Sequence, residues 1–291
     1  MKIAIIDLGS NSARMTIWEY KNGKTEKIYN KRVYVRLSEG LSADDMIKEE
    51  PLLRTLEALA DFAETIKDYS CDKVKAVGTE TLRRAKNSKA FTDLIFKNTG
   101  ISLTVLTGEE ESEYDYLASK DLTDGENAYI MDVGGGSLEL IKINSGKIDG
   151  FVCLPDGAVV TADKFGSSKD ILISYFTELF ASLPLLKNCP KGNIIALGGS
   201  IRAMASYING KASQGDVLVK DDFLKAFDSI CGKSIEELKE IEDFKERADI
   251  VAAGLAPYAA LAKIVSADKI ILNNCGVREG ILIECIAEEA K

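Results

Sequence analysis

The segment Ile3-Ala4-Ile5-Ile6-Asp7-Leu8-Gly9-Ser10-Asn11-Ser12 decides the reading of this chain, because its pattern returns as Ala128-Tyr129-Ile130-Met131-Asp132-Val133-Gly134-Gly135-Gly136-Ser137. In both, an apolar run of strand length reaches an aspartate, and a glycine with small polar residues then turns the chain. A further strand pattern follows each turn, Arg14 to Tyr20 and Leu138 to Ile143. Gly9 permits positive φ and a close approach of backbone to a ligand. The successive N–H groups from Gly9 to Ser12 suit an anion-binding nest, with Asp7 facing a metal ion or water. A polar hairpin turn reads equally well at the first site, and a tight bulge at the second. Yet three glycines at 134–136 cost conformational entropy and add no side-chain contact. The same device after each aspartate favours phosphate.

Outward from these turns the pattern is that of an α/β protein. Strands are expected at Lys27–Leu37, Lys73–Val77, Ile101–Leu106, Ile148–Leu154, Asn193–Leu197 and Lys269–Leu272. Helical spacing of apolar residues predicts helices over Pro51–Tyr69, Glu80–Lys89, Ile171–Leu183, Asp221–Cys231, Ser234–Ile241, Arg247–Lys263 and Val277–Ala287. Two more start at Thr107, in a T-x-x-E relation with Glu110, and at Ile201. Strand, Asp-x-Gly turn, strand, strand and helices thus occur twice, 125 residues apart. This is a duplication at domain scale. The acidic, turn-rich stretch Lys120–Asn127 marks the boundary, giving domains 1–122 and 123–291. The last helix, about 277–289, has the option of packing back on the first domain.

Composition narrows the chemistry. With 46% hydrophobic and 29% charged residues the 291-residue chain is globular. A net charge of −9 argues against nucleic acid or an anionic membrane as partner, but leaves room for a local basic cleft. There are no histidines, which excludes a Ser-His-Asp triad, a histidine zinc site and a histidine general base. Acid–base work falls to carboxylates, Cys, Lys or Tyr. Six scattered cysteines without a C-x-x-C pair read as reduced thiols, and the start Met1–Asp7 has no signal-peptide layout, so a cytoplasmic protein is expected.

Several further stretches carry chemistry. Leu106–Tyr114 crowds Glu109, Glu110, Glu111 and Glu113 at a helix start, where the macrodipole tolerates negative charge; one glutamate aimed at substrate would supply a base. Gly78–Asn87 places Arg83 and Arg84 just after a strand, and an arginine fork matches phosphate oxygens. A basic surface turn is the plainer reading there. Gly198-Gly199-Ser200 opens a helix whose N-terminus suits a phosphate or nucleotide. Arg278 lies near the start of the closing helix against the dipole preference, which points to an anion or a surface ion pair.

Together, DLGSNS (Asp7–Ser12), GTETLRRAKN (Gly78–Asn87), LTGEEE (Leu106–Glu111), DVGGGS-x-E (Asp132–Glu139), LGGSIR (Leu197–Arg202), ERADIVAAG (Glu246–Gly254) and GVREGIL (Gly276–Leu282) resemble the Ppx/GppA phosphatases. The resemblance implies two ribonuclease-H-like domains of the actin/Hsp70/sugar kinase superfamily with an inter-domain cleft. It implies hydrolysis of a terminal phosphoanhydride with Mg²⁺ support. It places the catalytic glutamate at Glu111, a carboxylate of the glycine-rich loop at Glu139 and the metal-facing aspartate at Asp132; read with the residues themselves, Asp7 and Glu139 join Asp132 around Mg²⁺. Gly9, Ser10, Asn11, Ser12, Gly134, Gly135, Gly136 and Ser137 then hold phosphate, with Arg14, Arg83 and Arg278. Inorganic polyphosphate is the expected substrate. The alternatives are guanosine penta- or tetraphosphate, ATP-dependent phosphotransfer, and a non-catalytic nucleotide-sensing clamp. A homodimer is open. Two departures stand out: Leu138 where the family has Thr, and Ser112-Glu113 where it often has Ala-Arg. The chain also resembles short family members, without a C-terminal helical domain.

Overall fold

The computed structural model describes residues 1–123 and 126–289, so positions 124 and 125 of the expected boundary stretch lie outside the described residues. The chain forms two compact units: Met1–Tyr114 with Val277–Lys291, and Asp115–Gly276.

The first unit runs β1 (Lys2–Leu8), β2 (Ala13–Lys21), β3 (Lys24–Val33), α1 (Glu49–Asp68), β4 (Lys73–Gly78), α2 (Glu80–Arg84), α3 (Ser88–Thr99) and β5 (Leu103–Val105), and α4 (Gly108–Ser119) begins in it. Its sheet has the order β3-β2-β1-β4-β5. The hairpin pairs β1–β2 and β2–β3 are antiparallel, and β4 and β5 join β1 in parallel. β1 is covered on both faces, hence its nearly continuous apolar run. Ala4, Ile6 and Leu8 face the core under α1 and α3, with Phe62, Phe91 and Ile95. Ile3 and Ile5 face the closing helix, which contributes Ile281, Leu282 and Cys285. Strand alternation puts Asp7 on that second face.

The second unit repeats the plan: β6 (Ala128–Val133), β7 (Leu138–Asn144), β8 (Lys147–Leu154), α5 (Ala158–Phe165), α6 (Lys169–Ser182), β9 (Asn193–Gly198), α7 (Gly199–Asn209), β10 (Val217–Val219), α8 (Lys220–Cys231), α9 (Ile235–Lys239), α10 (Val251–Ile264) and β11 (Lys269–Leu272); the closing helix α11 (Val277–Glu289) returns to the first unit. The order here is β10-β11-β9-β6-β7-β8. Reversed and without β10, this is the order of the first sheet, with the same parallel and antiparallel pairs. The duplication read from the two Asp-x-Gly turns is thus a duplication of topology. The core under α10 takes Tyr129, Met131, Val133 and Leu138, while Ile130, Ile141 and Leu197 lie on the opposite face.

Several expected boundaries move. The strand predicted to Leu37 ends at Val33, because the chain leaves the sheet and residues 36–38 bond to the first turn. Glu80–Lys89 is not one helix: α2 stops at Arg84 and α3 begins at Ser88. The structure also contains α5 and the edge strand β10, neither of which the spacing predicts. The T-x-x-E expectation is met, since the Glu110 N–H donates to the Thr107 hydroxyl at 3.2 Å and the Thr107 N–H to the Glu110 carboxylate at 2.7 Å. No disulfide joins any of the six cysteines among the described residues. No helix among the described residues is long and apolar enough to cross a membrane.

Candidate functional site

Both turns sit at the carboxyl ends of parallel strands, where open α/β sheets carry their ligands. They close the same way. The Gly9 N–H donates to the Ser12 carbonyl at 3.1 Å, and the Gly134 N–H to the Ser137 carbonyl at 3.0 Å. Neither Gly9 nor Gly134 has a left-handed φ, so the freedom that Gly9 offers is not used. Each turn is a four-residue loop of ordinary backbone; a Cβ at Gly134 would lie 3.3 Å from the Ser137 carbonyl oxygen, and one at Gly9 an ordinary 3.6 Å from that of Ser12.

What matters is where the loop carbonyls go. In the first loop, the Ser10 carbonyl accepts from the Ser38 N–H at 3.1 Å and the Asn11 carbonyl from the Arg36 N–H at 2.9 Å. Arg36 does this with a φ of 47°, a strained value for a side chain, held because the segment is tied at both ends. In the second loop, the carbonyls of Gly134, Gly135 and Gly136 accept from the first N–H groups of α5, Ala158 at 2.8 Å, Val159 at 2.9 Å and Gly157 at 3.2 Å. These are the donors that a helix start leaves without an intrahelical partner. A peptide carbonyl and its N–H point in opposite directions. Fixing the carbonyls on one side therefore turns the N–H groups of Asn11 and Ser12, and of Gly135, Gly136 and Ser137, to the other. Among the described residues no hydrogen bond engages these five N–H groups. Gly157 makes the second arrangement possible, since a Cβ there would lie 2.5 Å from the Gly135 carbonyl carbon.

Side chains extend each loop differently. Asp7 pairs across the hairpin with Arg14, and Asp132 with Glu139. Directly opposed residues project from one face. Arg14 turns back to the loop and donates to the Ser12 hydroxyl at 3.3 Å. The Ser10 hydroxyl, buried, accepts from Thr81 at 2.8 Å. Arg278, at the start of α11, reaches the same face and donates to the Thr16 hydroxyl at 2.7 Å, so its misfit with the dipole is answered by a buried threonine of β2. In the second unit Glu139 is buried and accepts from the Cys153 thiol at 3.1 Å. Leu138 lies in the core on the opposite face from Asp132 and Glu139, which is why an apolar residue is accommodated there. The Tyr258 hydroxyl beneath the loop donates to the carbonyls of Leu197 and Met131. Burial, then the Asp132 carboxylate, pushes this phenol well above its ordinary pKa, so it acts as a neutral donor.

Of the four glutamates at the start of α4, Glu109, Glu110 and Glu113 are exposed, and Glu111 is only 5% exposed. Glu111 is ion-paired with Arg83, which also contacts Glu80 at 2.9 Å. Arg84 pairs instead with Asp45 at 2.7 Å. At the start of α7, Gly198 has a φ of 107° and a Cβ there would meet the Asp132 carboxylate at 3.1 Å. Ser200 is buried against Gly254, so its hydroxyl is enclosed rather than offered to a nucleotide. Sequence reasoning missed Arg247, whose guanidinium lies over Gly199; it also missed Glu80, Thr81 and Gly157.

The Asp132–Glu139 pair offers hard oxygen donors suited to Mg²⁺, which is commonly held by one or two carboxylates and completes its shell with water and phosphate. Among the described residues no group of three or more acidic or thiol side chains forms a metal cluster.

Two α/β units of one topology, each with an outward-facing loop of peptide N–H groups, define a duplicated α/β protein equipped for anions. The chain belongs to the Ppx/GppA phosphatase family, whose sequence profile matches residues 16–289. It is 27% identical, over 98% of its length, to the guanosine-5'-triphosphate,3'-diphosphate pyrophosphatase of Vibrio vulnificus, and spans 59% of that protein. The crystal structure of the Aquifex aeolicus Ppx/GppA family member is similar over 100% of this chain and 99% of that one, at 27% identity and a TM-score of 0.85. An exopolyphosphatase structure from Cytophaga hutchinsonii shares the fold, with a TM-score of 0.90 at 22% identity over 99% of this chain and 98% of that one.

Proposed function

We propose that this chain hydrolyses phosphoanhydrides, releasing terminal phosphate from inorganic polyphosphate by attack of water. The observation that carries the proposal is the pair of loops, with successive N–H groups, two in the first and three in the second, turned away by carbonyls committed elsewhere. Such donors bind phosphate oxygens without moving, and a preorganised donor stabilises the charge of a transferring phosphoryl group. In the second loop the start of α5 adds the positive end of a helix dipole. Arg14 and Arg278 add cationic donors on the face of the first sheet that carries Asp7. Glu111 orients the water and takes its proton, the role a chain without histidine leaves to a carboxylate. Glu139 assists. Phosphoryl transfer needs little more than positioning and charge stabilisation.

Asp132 and Glu139 would hold Mg²⁺, and Asp7 is the equivalent carboxylate of the first unit. Bound there, the ion would neutralise charge on phosphate oxygens. A cytoplasmic location and a homodimer belong to the same reading, as do the two units as separate domains.

Hydrolysis of guanosine pentaphosphate is the second reading, supported by the likeness to the Vibrio vulnificus protein. The test is phosphate release with Mg²⁺ from short polyphosphate, long polyphosphate, guanosine pentaphosphate and ATP, measured side by side. Release from polyphosphate is expected. Release from guanosine pentaphosphate alone would establish the second reading, and binding of all four without release would overturn both.

A further inference from the structure

Arg83 has the residue type and place of a phosphate ligand, but its surroundings argue for another task. Its Nε donates to Glu80 at 3.0 Å, its Nη2 lies 2.9 Å from the same carboxylate, and its Nη1 donates to the Leu106 carbonyl at 2.8 Å and to Glu111. Both edges of the fork thus end on protein acceptors. The side chain is 19% exposed, and those of Glu80 and Glu111 are 18% and 6% exposed. The guanidinium faces two carboxylates, so its positive charge is already answered within the protein. Arg84, beside it, makes a single pair, with Asp45, among the described residues. Arg83, by contrast, ties α2, the end of β5 and the first turn of α4 into one frame, with Glu111 at its centre.

We infer that Arg83 is a positioning residue for Glu111 rather than a phosphate ligand, and that Glu80 is the residue that aims Arg83. Glu80 fixes the far edge of the guanidinium, and the Leu106 carbonyl fixes its height relative to α4. The Glu111 carboxylate, buried and charge-balanced, then has one orientation. A lysine at 83 would keep the charge but could not reach both glutamates from a planar fork. This inference rests on the hydrolase reading above.

The test is a pair of double-mutant cycles on the full chain with Mg²⁺ and short polyphosphate. Glu80→Gln and Arg83→Lys are each made in the wild type and in Glu111→Gln, and kcat, KM and inhibition by inorganic phosphate are measured. Misplacing a catalytic group by about 1 Å costs about a hundredfold, so each single variant should lower kcat by about ten- to a hundredfold. KM and phosphate inhibition should stay within about twofold, and in the Glu111→Gln background each change should cost less than about twofold, as expected for residues that act through one another. Equal losses in both backgrounds, or a raised KM with weakened phosphate inhibition, would show Arg83 on the phosphate and overturn the inference while leaving the hydrolase reading intact. A wild type that releases no phosphate from any substrate would overturn both.

Discussion

The loop at 9–12 and the loop at 134–137 have the same backbone and opposite neighbours. Each closes with a glycine N–H on a serine carbonyl, and each lies between a central strand and its antiparallel partner. The first is braced by a passing segment, residues 36–38, and carries an arginine across from its aspartate. The second is braced by the start of a helix and carries a glutamate across from its aspartate. Duplication has kept the peptide geometry and let the charge diverge. The first loop is furnished for an anion, the second for an anion together with a cation. Backbone donors and side-chain charge are therefore separable parts of such a site.

The comparison can be sharpened, beginning with the residue that belongs to neither loop. Glu111→Gln is expected to lower kcat by about 10²–10⁴-fold, the usual contribution of a general base, with KM little changed. Steady-state phosphate release checks this, and wild-type turnover in the variant would remove Glu111 from the mechanism. The charge difference between the loops comes next. Glu139→Gln should raise the Mg²⁺ needed for half-maximal rate by about tenfold or more, while Arg14→Gln should raise KM by about tenfold without moving the Mg²⁺ requirement, the scale of one charge-assisted hydrogen bond. Magnesium titrations of both variants separate the two, and an identical response would break the proposed division of labour.

Bracing is tested by a methyl group. Gly157→Ala forces a Cβ into the backbone of Gly135 and Gly136 and should cost about 1–3 kcal/mol of stability, as overpacking does. Gly9→Ala meets only the Ser12 carbonyl, at 3.6 Å, and should leave the melting temperature nearly unchanged. Thermal melts of the two, run together, decide whether the second loop is the more tightly held. Among the destabilising changes the smallest effect is that of Thr81→Val, which deprives the buried Ser10 hydroxyl of its donor at 2.8 Å. A loss of about 1 kcal/mol in urea denaturation is expected for that hydrogen bond.

Much of this was visible in the chain itself. Asp7 and Asp132, each two residues ahead of a glycine, located both loops and the duplicated topology. Thr107 and Glu110 announced the start of α4. Other signals were present and unread: Gly157 and Gly166 bracket α5, and Phe91, Leu94 and Ile95 have helical spacing before Gly100, which ends α3 with a φ of 73°. Glu80 and Arg83 stand at the i,i+3 spacing of a helix, a signal that was present and unread, whereas nothing local marked Thr81 as the partner of Ser10 or Arg83 as the partner of Glu111, because those bonds join segments brought together by the fold.

The order of residues by itself determined the strands other than β10, the two turns and the charge each turn carries, since these follow from side-chain period and from the residue types that permit a tight reversal. Only the tertiary structure decided which of four adjacent glutamates is buried, which arginine it meets and which way the loop N–H groups face. Those depend on contacts between segments far apart in the chain, such as the carbonyls of Gly134–Gly136 against the N–H groups of residues 157–159. A hydrogen bond of that kind leaves no trace in the spacing of the residues that make it.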